Sequence, residues 1–129
     1  MRRCYLDTSA AVKLLVVEAE SDALVVELRS EQSTLVACLL LETELRRVVA
    51  REPALTQQAV TQLLRGVDLY ELPPPLFAEA GLRPGATLRS LDALHLAAAI
   101  RLEVESVITY DARMAEAATS LGMTVLAPS

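Results

Sequence analysis

The chain has 129 residues, 53% of them apolar and only 3% aromatic, with a formal net charge of −5. That length suits one domain, residues 1–129, whose core is filled by Leu, Val and Ala rather than by rings. The acidic balance argues against a protein that holds nucleic acid by bulk electrostatics alone, and no apolar run reaches the roughly 18 residues of a membrane span.

The opening MRRCYLD meets an acid at residue 7 before any apolar stretch of secretory length, so a cytoplasmic location is expected. In chain order, residues 3–6 (RCYL) read as a first strand, followed by helices over about 9–17 and 20–30. TLVA at 34–37 reads as a second strand and LLLETELRRVVAR at 39–51 as a helix. Pro53 closes that helix and is expected near the first turn of the next, about 54–65, which Gly66 stops.

VDLYEL at 67–72 alternates apolar and polar residues, as a strand at a sheet edge does. The triple proline 73–75 breaks that pattern before a short helix, PLFAEAGL, and a loop over Gly81 and RPGATLRS follows. A helix over 91–103 (SLDALHLAAAIRL, from Ser90), a strand SVITY at 106–110, a helix over 112–121 and a strand MTVLA at 123–127 complete the chain. Strands separated by helices imply right-handed crossovers: a three-layer α/β/α domain around a mostly parallel sheet of about five strands. In such sheets ligands bind beyond the carboxyl ends of the strands, near a topological switch point.

Several acids are expected there. Asp7 and Asp111 each end a strand just before a helix. Either alone reads as an N-cap, but two strands then deliver carboxylates to one edge. Asp92 begins a helix that is apolar nearly all round, where a charge is costly unless it pairs, with Arg89 for example, or binds a metal. In LETELRRVVAR the core stripe is Leu41, Leu45, Val48 and Val49. Glu42 and Glu44 flank it on opposite sides, Glu42 with Arg46 and Glu44 with Arg47 and Arg51, and periodicity does not choose between them.

His95, the single His, lies one helical turn after Asp92 and reads most simply as a hydrogen-bonded packing residue. Cys4 and Cys38 lack any C-x-x-C context and read as small buried thiols. This leaves little support for Ser-His-Asp or Cys-His catalysis or for zinc. Asp7, Asp92 and Asp111, with one of the glutamates, form a hard-oxygen set suited to Mg2+ or Mn2+ and to metal-assisted displacement at phosphorus. Eleven of the 12 basic residues are Arg, the better fork for phosphate.

The stretches YLDTSAAVKLL (5–15), LLLETELRRVVAR (39–51), LRSLDALHLAAAIRL (88–102) and VITYDARMAEAATSLGM (107–123) together resemble the PIN domain family, specifically its VapC-type toxin ribonucleases. The resemblance spans nearly the whole chain and implies that Asp7, Glu44, Asp92 and Asp111 are an acidic quartet binding Mg2+ or Mn2+. The E-L-x-R pattern selects Glu44 over Glu42. Thr8, Ser9 and Thr109 match small hydroxyl positions that orient a carboxylate or a water. Thr8 and Ser9 are expected to cap the first helix and so free Asp7 for the ion.

The resemblance further implies endoribonuclease activity on structured RNA such as tRNA or rRNA, a homodimer, and inhibition by a cognate VapB-type antitoxin. Arg46, Arg47, Arg51, Arg83 and Arg89 are the RNA-binding candidates. Two rivals stand beside it. One is a phosphoryl-transfer domain of receiver or haloacid-dehalogenase type, disfavoured by Ser9 and by Lys13 as the only lysine. The other is a non-catalytic module that binds RNA or the antitoxin.

Overall fold

A computed structural model describes residues 2–85 and 87–129; Met1 and Ala86 lie outside the described residues, Ala86 within the loop expected over 83–90. Five strands form one sheet: β1 (Arg3–Leu6), β2 (Thr34–Cys38), β3 (Val67–Tyr70), β4 (Ser106–Ile108) and β5 (Thr124–Leu126). Their order is β3-β2-β1-β4-β5, and each neighbouring pair is parallel. After Arg3 and Ser106, the central strands β1 and β4 are apolar and buried, as a covered parallel sheet requires. β3, with its alternating burial, does lie at an edge.

The helices are α1 (Thr8–Leu15), α2 (Ser21–Ser30), α3 (Leu40–Val49), α4 (Gln57–Arg65), α5 (Pro74–Gly81), α6 (Ser90–Arg101) and α7 (Ala112–Ser120). The path β1-β2-β3 steps one way along the sheet and β3-β4-β5 returns the other way. Right-handed crossovers therefore place the two helix sets on opposite faces. In accord with this, α1, α3 and α4 pack on one another, and α6 packs on both α5 and α7. The core stripe of α3 buries Leu41, Leu45 and Val48, while α6 buries Leu96 and four alanines, Ala93, Ala97, Ala98 and Ala99, small residues that let it lie close on the sheet.

Three local expectations change. Pro53 does not enter the first turn of α4; the helix begins four residues later, where Thr56 Oγ1 accepts the Ala59 N–H at 3.1 Å as its N-cap. Gly66 does end α4, but at φ −93, so its conformational freedom is not what stops the helix. α5 starts one residue earlier than expected, at Pro74, so that Pro74 and Pro75 both lie in its first turn, where a missing N–H costs nothing.

β1 and β4 are neighbours, with Leu6 opposite Ile108 and the Asp7 N–H donating to the Ile108 carbonyl at 3.1 Å. The chain leaves β1 toward β2 and leaves β4 toward β5, on opposite sides. This divergence opens the crevice at the carboxyl end of the sheet.

Candidate functional site

Asp7 follows β1 directly. Its carbonyl accepts the Ala10 and Ala11 N–H groups at 3.0 Å and so starts α1, but its side chain makes no cap bond. The carboxylate is 5% exposed. Oδ2 accepts from Thr109 Oγ1 at 2.7 Å and from Ser9 Oγ at 2.9 Å. These hydroxyls are anchored in turn: Ser9 Oγ accepts from the Tyr110 N–H at 2.9 Å, and Thr109 Oγ1 from the Asp111 N–H at 3.1 Å. Thr8 and Ser9 therefore do not cap α1. Ser9 holds Asp7, and Thr8 Oγ1 donates to Glu44 Oε1 at 2.9 Å.

Asp111 is the N-cap of α7, as its position suggested: Oδ1 accepts from the Arg113 and Met114 N–H groups at 2.8 and 3.4 Å. Asp92 occupies the first turn of α6 and is half-buried. Burial lifts its pKa above the ordinary carboxylate value, the charges of Asp111 and Asp7 lift it further, and His95 and the Arg89 backbone offset only part of this. Among the described residues Asp92 makes no ion pair, so the alternative salt bridge to Arg89 does not form.

The two glutamates of α3 part company. Glu42 pairs with Arg46 one turn on, Nε to Oε2 at 2.9 Å, and that guanidinium also reaches Gln57 and Thr61 of α4. Glu44 turns instead toward α1 and α6, where Oε1 accepts from Thr8 and from His95 Nε2. Burial opposes the Glu44 charge, but the hydrogen bond and charge of His95 outweigh it and hold the carboxyl below its usual range. For His95, burial likewise opposes the charged form, and its bonds to Cys38 and Glu44 prevail and raise its pKa.

His95 is 1% exposed and both ring nitrogens are engaged. Nδ1 lies 2.7 Å from Tyr5 Oη, which donates to Cys38 Sγ at 3.1 Å and accepts from the Cys38 N–H at 3.3 Å. His95 is thus the hydrogen-bonded packing residue expected of it, but its partner belongs to the acidic quartet. Tyr5 was missed altogether. The one available signal was a lone His set a single turn after Asp92 on an otherwise apolar helix. Cys4 and Cys38 are free and buried.

Among the described residues, no three acidic, His or Cys side chains close into a compact coordination shell. Asp7 and Asp111 nevertheless share one edge, because the Thr109 hydroxyl bonds both Asp7 Oδ2 and the Asp111 N–H across the paired strands β1 and β4, and the charges of both acids act on Asp92. None of them pairs with Lys or Arg among the described residues. An open set of oxygen donors fits Mg2+, which keeps several waters and takes only one or two carboxylates directly.

A cleft of about 220 Å³ opens beside Glu44, lined by Thr8, Glu44, Arg47, Val48, Arg51 and Leu91. Arg47 and Arg51 are exposed on its wall. Of the other basic candidates, Arg46 is engaged with Glu42 and α4, and Arg83 lines grooves among α5, α6 and α7. Arg89 is exposed at the N-cap of α6.

Known proteins resemble this chain in both sequence and fold. The PIN domain model matches residues 4–119. Ribonuclease VapC46 of Mycobacterium tuberculosis is 41% identical, with 100% of each chain covered. Among solved structures, Mycobacterium tuberculosis VapC20, a Sarcin-Ricin loop cleaving toxin, superposes with a TM-score of 0.75 at 14% identity, covering 97% of this chain and 99% of that one. A toxin-antitoxin complex from Klebsiella pneumoniae gives 0.71 at 17% identity, with 98% of each chain covered. Identities this low speak for the fold alone, but the family match and the full-length relative go further. The chain belongs to the PIN domain family, in its VapC branch.

Proposed function

We propose that this protein is a metal-dependent endoribonuclease, the toxin of a toxin–antitoxin pair, which cleaves structured RNA such as tRNA or rRNA and so halts translation and growth. The observation that carries the reading is the Thr109 hydroxyl that joins Asp7 to the Asp111 backbone at the β1/β4 switch point, with the charges of both acids acting on Asp92 and no basic partner for any of the three among the described residues. Relatives named as ribonucleases support the same reading.

Asp7, Asp92 and Asp111 would hold Mg2+ or Mn2+, and Glu44 would complete the site directly or through water. The ion supplies Lewis acidity toward a phosphate oxygen and lowers the pKa of an attacking water. The chain supplies orientation. Thr109 and Ser9 fix Asp7, the α7 amides fix Asp111, and Thr8 supports Glu44. Arg47 and Arg51 would receive phosphates of the RNA backbone in the cleft beside Glu44.

The partner of this toxin is a VapB-type antitoxin, and the active form a homodimer. No helix among the described residues is long and apolar enough to cross a membrane, which accords with action in the cytoplasm. Asp7→Ala and Asp92→Ala abolish RNA cleavage and growth inhibition while circular dichroism and a cooperative thermal transition show a folded chain, the Asp7 variant at a lower midpoint because Thr109 and Ser9 lose their acceptor. Full activity in both variants overturns the mechanism.

A further inference from the structure

A row of buried polar groups ends at Glu44. It starts at Cys38, passes through Tyr5 Oη to His95, and leaves the core at the Glu44 carboxylate. A phenol and an imidazole buried among alanines and leucines are costly unless every polar atom is partnered. A Phe and a Leu would fill the same space without that requirement. The polar pair therefore calls for an explanation other than packing.

The geometry supplies one. With Nδ1 engaged by Tyr5 and Nε2 by Glu44, the ring can neither flip nor turn, and its donor has a single direction. Glu44 itself is a long, half-buried side chain, free on its own to sample many rotamers. Arg47 and Arg51 line the same cleft, yet among the described residues neither pairs with it. Among the described residues, the two hydrogen bonds that Glu44 accepts both fall on Oε1, one from Thr8 and one from His95.

We propose that His95, oriented by Tyr5, is a positioning residue that fixes the Glu44 carboxylate by Oε1 and presents Oε2 to the metal site. The inference rests on the reading of Glu44 as part of that site. Carboxylates and imidazoles that orient the groups around a metal commonly govern its affinity in this way, and orienting Glu44 during folding removes that cost from each binding event.

The test uses the full chain and the variants His95→Leu, His95→Gln and Tyr5→Phe, each in the wild-type and the Glu44→Ala backgrounds. Mn2+ affinity is measured by calorimetry without RNA, and kcat and KM are measured for RNA cleavage. His95→Leu is expected to weaken Mn2+ binding and to lower kcat by about 10–100-fold, with KM for RNA little changed. His95→Gln recovers most of the loss, because its amide N–H reaches the place of Nε2. Tyr5→Phe shows a smaller loss of the same kind.

In the Glu44→Ala background His95→Leu adds nothing, since the two act as one unit. Wild-type Mn2+ affinity and kcat in both His95→Leu and Tyr5→Phe overturn the proposal. So does an equal loss from His95→Leu whether or not Glu44 is present. Where His95→Leu does not fold, Tyr5→Phe and His95→Gln decide: a normal Tyr5→Phe, or a His95→Gln as impaired as Glu44→Ala, overturns it. Failure of the metal-site reading shows separately, as RNA cleavage at the wild-type rate by Asp92→Ala.

Discussion

Thr109→Val removes a single hydroxyl from the switch point while keeping a β-branched side chain of nearly equal volume. Thr109 is 1% exposed, so no water replaces the lost group. Its Oγ1 donates to Asp7 Oδ2 at 2.7 Å and accepts from the Asp111 N–H at 3.1 Å, tying the ends of β1 and β4 together. A hydrogen bond to a carboxylate contributes about 1.5–3 kcal/mol, and an amide deprived of its acceptor adds about 1 kcal/mol where it is partly exposed. The expected loss is therefore about 2.5–4 kcal/mol, a large share of the roughly 5–15 kcal/mol by which a domain of this size is stable. Asp7 then keeps only the bond from Ser9, and metal affinity falls by about 10–100-fold. Urea unfolding in the presence of a chelator measures the first effect, and the Mg2+ dependence of RNA cleavage measures the second. Thr109→Ser is the control: it keeps the hydroxyl, loses about 1 kcal/mol with its methyl group, and retains the wild-type Mg2+ requirement. A Thr109→Val protein within about 0.5 kcal/mol of wild type and with an unaltered Mg2+ requirement refutes the idea that this hydroxyl holds Asp7.

Asp92→Asn abolishes cleavage yet stabilises the metal-free protein near neutral pH. The folded-state pKa of Asp92 is raised, so the native state binds this proton more tightly than the unfolded chain does, and stability declines as pH rises from the unfolded to the folded pKa. The advantage of the variant is full above that window and vanishes below the ordinary carboxylate range; denaturation midpoints across pH check this, and an Asn variant no more stable than wild type counts against it. Asp111→Ala loses the α7 cap, costing about 0.5–2 kcal/mol, along with cleavage. Asp111→Ser restores the melting temperature but not the cleavage. Arg47→Ala and Arg51→Ala raise KM for RNA, and each flattens the log–log salt dependence of binding by about 0.7 for a single-stranded contact. Arg46→Ala leaves KM unchanged and costs at most about 1 kcal/mol of stability, because its guanidinium is already held by Glu42, Gln57 and Thr61.

The architecture was legible because the strands are short apolar or alternating runs and the helices between them carry apolar stripes or, in α6, an apolar surface nearly all round. The order of those runs fixes a parallel sheet once crossovers are right-handed. Asp7 and Asp111 were legible for a related reason: an acid that follows a strand and precedes a helix lies at the carboxyl edge of the sheet, Asp7 directly after β1 and Asp111 three residues after β4. The hydroxyl partners were not legible from periodicity, since Thr109 and Asp7 stand 102 residues apart and only the β1/β4 pairing brings them together. The same holds for the choice between Glu42 and Glu44. Both flank one stripe on α3, and what separates them is the neighbour on each side, α4 for Glu42 and α1 with α6 for Glu44. Pro53 misled for a simpler reason. A Pro fits the first turn of a helix, but Thr56, three residues on, offers a side-chain cap that Pro53 cannot.

The acids of this edge are not equivalent, and the difference bears on how a chain with a net charge of −5 could act on a polyanion. Glu44 has an imidazole partner, and Asp111 has the amides of a helix N-terminus. Among the described residues, the side-chain partners of Asp7 are hydroxyls, which orient a carboxylate without cancelling its charge. Asp92 has no side-chain counter-charge except the field of His95, against two like charges. An arginine laid on Asp92 would relieve that crowding, yet it would also occupy the place of a cation. Instead, Arg47 and Arg51 stand on the wall of the neighbouring cleft. Under the proposed reading this separates two tasks: uncompensated acids recruit the metal, and nearby bases receive the phosphates. Once the ion is bound, the local field at the crevice is no longer that of three bare carboxylates. Net charge, averaged over the whole chain, therefore says little about what an RNA strand meets at this one edge.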